Sequence, residues 1–142
     1  AADLTGDPAA RLPESTMSAA ITPPALDSLL AIRDRLRTFA DERDWNQFHA
    51  PKNLAMALIV EAAEVVEHFQ WQEPLRDPEL PPDKRAAIGA ELADVLFYLV
   101  RLADRLDIDL GAAAADKLAA NAARYPAERV RGSARKYDEY DR

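Results

Sequence analysis

The chain has 142 residues, 49% hydrophobic and 30% charged, with no cysteine and a formal net charge of −7. That length suits one domain able to bury a core without staples, and the lack of cysteine excludes thiol catalysis, Cys-ligated zinc, iron–sulfur clusters and a disulfide scaffold. No apolar run approaches the ~20 residues of a membrane span, no signal-peptide core is evident, and the acidic balance disfavours a nucleic-acid polymer as partner. The expectation is a cytoplasmic protein with no membrane association.

Residues 1–24 hold Pro8, Pro13, Pro23 and Pro24 and little periodicity. The stretch 1–16, ahead of Met17, reads as an expression or processing remnant, so 1–24 is expected to be a disordered extension and 25–142 the domain. Four helical patterns follow, with no strand among them. The first covers Asp27 to Arg43, with Leu29, Leu30, Ile32, Leu36, Phe39 and Ala40 as its apolar stripe. After the loop Asp44–Ala50, Pro51 is placed to open a second helix reaching Trp71. A proline-rich link, Pro74 to Pro82, leads to a third helix ending at Leu106. The Asp107-Ile108-Asp109 turn feeds a fourth, Leu110 to Tyr125, stopped by Pro126. The tail from Ala127 reads as irregular, with a bend at Gly132-Ser133. The class is all-α, a bundle of four main helices. Its broad apolar faces exceed what one such chain can cover, so a homodimer or homotetramer is expected. Charge is divided along the chain: residues 17–116 carry 10 Lys/Arg against 18 Asp/Glu, residues 117–142 carry 7 against 4.

The second and third helices carry the chemistry. At roughly 100° per residue, Glu61 falls just inside one edge of the helix's apolar arc, which includes Leu54, Leu58, Val65 and Phe69, and Glu64 about 60° beyond it. Glu91, Asp94 and Tyr98 form one stripe beside the arc of Ile88, Leu92, Val95 and Leu99. A Glu-x-x-Glu pair is ordinarily a solvated face with local ion pairs. Here none of the four acids has a Lys or Arg at i±3 or i±4, and like charges at that spacing destabilise a helix by roughly 0.2–0.5 kcal/mol per pair. Carboxylates beside a core need a partner, and four of them call for a hard divalent cation, Mg²⁺ with Mn²⁺ as a substitute. A di-iron site is disfavoured, because neither His49 nor His68 follows a glutamate at the Glu-x-x-His spacing.

Glu61-x-x-Glu64 followed by Glu91-x-x-Asp94 resembles the metal motif of the MazG-like all-α NTP pyrophosphatases. Glu42-Arg43-Asp44-Trp45-Asn46-Gln47-Phe48-His49, Phe69-Gln70-Trp71, Asp94-Val95-Leu96-Phe97-Tyr98-Leu99, Asn121-x-x-Arg124-Tyr125-Pro126 and Gly132-Ser133-Ala134-Arg135-Lys136-Tyr137 resemble the dCTP pyrophosphatase branch of that family, in collinear order. The resemblance implies Mg²⁺-dependent hydrolysis of dCTP, and modified dCTP, to dCMP and pyrophosphate, cleansing the nucleotide pool. It implies Glu61, Glu64, Glu91 and Asp94 as metal ligands, with Glu64 or Glu67 as general base. It implies a base site in the segment Trp45, Asn46, Gln47, Phe48 and His49 together with Trp71 and Tyr98. The stripe Lys117, Asn121 and Arg124 would meet the β- and γ-phosphates, and Arg135 and Lys136 would reach a neighbouring subunit's triphosphate. Two departures stand out: Val60 precedes Glu61 where many members have a second glutamate, and Leu36 stands nine positions before Trp45 where the branch carries a histidine. The alternatives are a dUTP or broad-specificity pyrophosphatase of the same superfamily, or a non-catalytic helical partner module.

Overall fold

Ser28 opens the first helix, α1 (Leu29–Asp41). Its extended backbone sets the hydroxyl to accept from the Ala31 N–H at 3.1 Å, satisfying one of the free amides of the first turn. The computed structural model describes residues 26–71 and 79–135. Asp44, at φ 54°, turns the chain away from α1, a left-handed conformation that a short polar side chain tolerates. A single 3₁₀ turn, Trp45–Gln47, follows. Pro51 and Pro82 are the first residues of α2 (Pro51–Glu67) and α3 (Pro82–Arg105), where the missing N–H costs no helical bond.

The end of α3 is closed by Asp107 at φ 55°. The Ile108 N–H donates to the Ala103 carbonyl at 2.9 Å and the Asp107 N–H to that of Asp104 at 3.2 Å, a double closure that usually employs glycine at this place. Asp109 then caps α4 (Leu110–Arg124) by accepting from the Ala112 N–H at 2.9 Å. The four long helices therefore stand in the expected order. The tail differs from expectation, because Ala127–Val130 forms one helical turn, α5, behind Pro126, whose fixed φ suits a helix entry. The bend after it is present, with Gly132 at φ 75°. The extension 1–24 lies outside the described residues.

The main packing is α2 against α3, with α1 laid on α3. Glu64 meets Glu91 while Glu61 lies near Asp94, so numbering rises on one helix as it falls on the other and the pair is antiparallel. Ile32 and Ala40 of α1, Leu54 of α2, and Ile88, Val100 and Ala103 of α3 form the buried core. Helix α4 has no extended packing on the other described helices and buries none of its residues. A large apolar surface stays open: Met56, Ile59, Val60 and Val66 on α2, Leu92 on α3 and Leu118 on α4 are all more than half exposed. No described helix is long and apolar enough to cross a membrane.

One polar knot joins α1 to α3. The Arg37 Nε donates to both oxygens of Asp104 at 3.1 Å, and the Arg101 Nη1 donates to Asp104 Oδ2 at 2.8 Å. The Asp104 side chain is 7% exposed. The Arg37 hydrogen bond, with the charges of Arg37 and Arg101, holds its carboxyl below the usual aspartate value against the opposing effect of burial. A lowered pKa contributes stability above the unfolded-state value and loses it as the pH falls through the folded one. Asp104→Asn is therefore expected to cost about 2 kcal/mol at neutral pH, read by urea denaturation, with the deficit closing in acid below the ordinary aspartate range.

Candidate functional site

The antiparallel seam places α2's carboxylates against those of α3. One oxygen each from Glu61, Glu64 and Glu91 lies within 4.8 Å of the others, while Glu61 and Glu91 are half-buried. Glu64 and Glu91 are close enough for a protonated Glu64 carboxyl to hydrogen-bond Glu91. That bond, then the Glu91 charge, raises the Glu64 pKa, with smaller contributions from burial, Glu67 and Asp94. Glu61 is raised by burial first, then by Glu64 and Asp94. Asp94, one turn along α3, acts on both glutamates but is not part of the closest trio. His68 Nε2 stands 4.0 Å from Glu91 Oε1. Among the described residues no lysine or arginine acts on Glu61 or Glu64, so negative charge is concentrated at the seam, as the sequence spacing suggests.

Beside this cluster is a cavity of about 390 Å³ between α1, the 3₁₀ turn and α3. Its apolar wall includes Ile32, Leu36, Phe39 and Phe97, and its polar side has Asp94, Tyr98, His49 and Arg101. Trp45 stands edge-on to Phe39, with centroids 5.7 Å apart, and to His49 at 6.4 Å. The Arg43 guanidinium lies over the Phe39 ring, 3.7 Å from its centroid, a favourable cation–π contact. Asp94 belongs to the cavity wall and to the electrostatics of the acid cluster, so the two features meet at one residue.

The structure brings together Glu61, Glu64 and Glu91, with Asp94 beside them, and separately Trp45, His49 and Tyr98. Glu67 lies close enough to influence Glu64. Asn46 and Gln47 are engaged locally: Asn46 donates to Asp41 and accepts from Arg101, and Gln47 donates to the Asp44 carbonyl and carboxylate at 3.0 and 2.8 Å. Phe48 and Trp71 are not in the cavity wall, and Trp71 is 88% exposed. Lys117, Asn121 and Arg124 ride on α4, away from the packed helices, and neither cation of that stripe acts on Glu61 or Glu64. Arg135 is exposed, and Lys136 lies outside the described residues. Arg101 is a cavity residue that the sequence pattern does not single out, and Leu36, the departure from the branch noted above, also lines the cavity. Arg101 was within reach of that pattern, since the stripe Glu91, Asp94, Tyr98 continues to position 101 at helical spacing.

Comparison with known proteins adds to this geometry. A MazG-like family profile matches residues 56–140. The chain belongs to the MazG-like family. It is 49% identical over 106 residues to mouse dCTP pyrophosphatase 1, covering 73% of this chain and 62% of that protein. It is 50% identical over 105 residues to the human dCTP pyrophosphatase 1, covering 71% and 61%. The chain thus spans less than two thirds of the length of these curated relatives. A crystal structure of a pyrophosphatase from Archaeoglobus fulgidus superposes with a TM-score of 0.61 at 38% identity, covering 66% of this chain and 87% of that one.

Raised carboxyl pKa values mean that the ionised cluster opposes folding, and that this cost disappears as the pH falls through the folded-state values. Glu64→Gln is therefore expected to raise the melting temperature at neutral pH in the presence of a chelator. The difference from the parent chain should shrink in acid, where Glu64 carries its own proton. A lower melting temperature across the range would mean that the acids are not in mutual repulsion.

Proposed function

We propose that this chain is a divalent-cation-dependent nucleoside triphosphate pyrophosphohydrolase that converts dCTP and modified dCTP to dCMP and pyrophosphate. The observation that carries this reading is the continuity of one α3 stripe. Glu91 sits in the acid cluster, Asp94 adjoins both features, and Tyr98 and Arg101 line the cavity. A ligand with a polyanionic chain at one end and a flat base at the other matches that layout. The names of the mammalian relatives support dCTP as substrate, and the archaeal pyrophosphatase supports the reaction type.

The residues fit a hard cation. Three carboxylates converge, two of them hold protons more tightly than isolated glutamates do, and no lysine or arginine among the described residues relieves those two. Glu61, Glu64, Glu91 and Asp94 would hold Mg²⁺, or Mn²⁺, which suits an all-oxygen donor set. When bound, the ion would offset triphosphate charge and acidify a water. Around it, the chain's own groups have separate tasks. Trp45 offers a face for stacking of the base, and Tyr98 and His49 offer polar edges. Glu64 or Glu67 takes the proton of the attacking water as its oxygen bonds to the α-phosphorus. The bond from that phosphorus to the bridging oxygen breaks, and pyrophosphate leaves.

One observation favours a broader base range, including dUTP: Leu36, an apolar residue where the branch carries histidine, lines the cavity. The exposed apolar stripe on α2 and α3 and the unpacked α4 favour a homodimer or homotetramer. In such an assembly Lys117, Asn121, Arg124, Arg135 and Lys136 would serve a neighbouring subunit's triphosphate, and Trp71 would gain a partner surface. We place the activity in the cytoplasm, with the nucleotide pool on which it would act.

Product analysis of the five common deoxynucleoside triphosphates tests the reading. Pyrophosphate and dCMP, formed from dCTP in preference to the others and with Mg²⁺ present, are expected. Glu61→Ala and Asp94→Ala should lower kcat/KM by about a thousandfold while the far-ultraviolet circular dichroism stays helical. Orthophosphate release would overturn the reaction, equal turnover of all five would overturn the base preference, and no turnover would favour a silent partner module.

A further inference from the structure

Arg101 is 6% exposed, an unusual burial for arginine, and its donors are divided among three fixed partners. Nη1 serves Asp104 Oδ2 at 2.8 Å, Nη2 serves Asn46 Oδ1, and Nε donates to His49 Nδ1 at 3.2 Å. The far side of Asn46 donates to Asp41, and Asp104 is also held by Arg37. The guanidinium therefore ties the 3₁₀ turn and the entry to α2 onto α3, in a network whose other ends are anchored. Arginine has donors only, so His49 Nδ1 must accept, and the neutral ring carries its proton on Nε2. Burial and the charges of Arg101 and Arg105 also disfavour the doubly protonated ring. His49 lines the cavity, and its Nε2 has no hydrogen-bond partner among the described residues.

We infer that Arg101 is a positioning residue that holds His49 as an Nε2–H donor to the cavity, so that the site favours a base presenting a carbonyl oxygen or an unprotonated ring nitrogen there. An amino group or protonated ring nitrogen at the same place would face a donor with no acceptor. The base discrimination rests on the nucleotide reading above; the state of His49 does not.

The experiment is ¹⁵N NMR of the full chain labelled at histidine, with His49 assigned against His68→Gln, combined with kinetics on dCTP. In the parent chain His49 should show a bare Nδ1 and a protonated Nε2 at neutral pH. A protonated Nδ1, or a cationic ring, overturns the inference without any variant. Arg101→Lys keeps the charge but not the fork; it should shift His49 to a tautomer mixture and raise KM about tenfold with kcat changed by less than about twofold. An unaltered tautomer and KM would overturn the positioning role. A chain showing the expected tautomer but turning over no nucleotide would support the positioning and defeat the nucleotide reading alone.

Discussion

Everything at the site depends on packing α2 antiparallel on α3. Leu54 and Ile88 are buried on these two helices, and with the seam in this register Glu61 and Glu64 come to lie against Asp94 and Glu91. Hydrophobic burial thus forces together groups that repel one another. The raised pKa values of Glu61 and Glu64 are the local signature of that conflict, and protonation of Glu64 is one way to relieve it. A hard cation is another, and it keeps every carboxylate ionised.

The opposite electrostatic arrangement lies farther along α3. Asp104 is flanked by Arg37 and Arg101 and is held below its ordinary pKa, so the same helix carries a repelling cluster and a satisfied knot. The difference has a functional sense. The knot fixes α1 and the 3₁₀ turn on α3 and gives the cavity firm walls. In the cluster, Glu61 and Glu64 have no lysine or arginine partner among the described residues, which suits the cation-binding role proposed for it. Asp94 and Tyr98, between the two, connect phosphate chemistry to base recognition in the proposed reading.

Much of this was legible in the residue pattern. Prolines at the first positions of α2 and α3 and caps at Ser28 and Asp109 mark the helices. The four acids are conspicuous because no cation stands one turn away. The rest depended on contacts across the fold. Arg101 with Asp104 three residues on reads as an ordinary surface pair; its burial comes from His49 and Asn46, which are 52 and 55 residues distant. Trp71 and Phe48 read as pocket aromatics, yet helix ends and loops decide which way such rings face, and both are exposed. The helix of Lys117, Asn121 and Arg124 was legible, but its departure from the packed body was not, because its alanine-rich faces specify no single neighbour.

The central claim is that the α2–α3 seam is built around a cation. Calorimetric titration of Mg²⁺ into the metal-stripped full chain, and into Glu61→Gln and Glu64→Gln, tests it most directly. Saturable binding in the parent chain that is lost in both variants, with helical content unchanged, is the predicted result. Equal affinity in Glu64→Gln, or no saturable binding in the parent chain, would contradict the account.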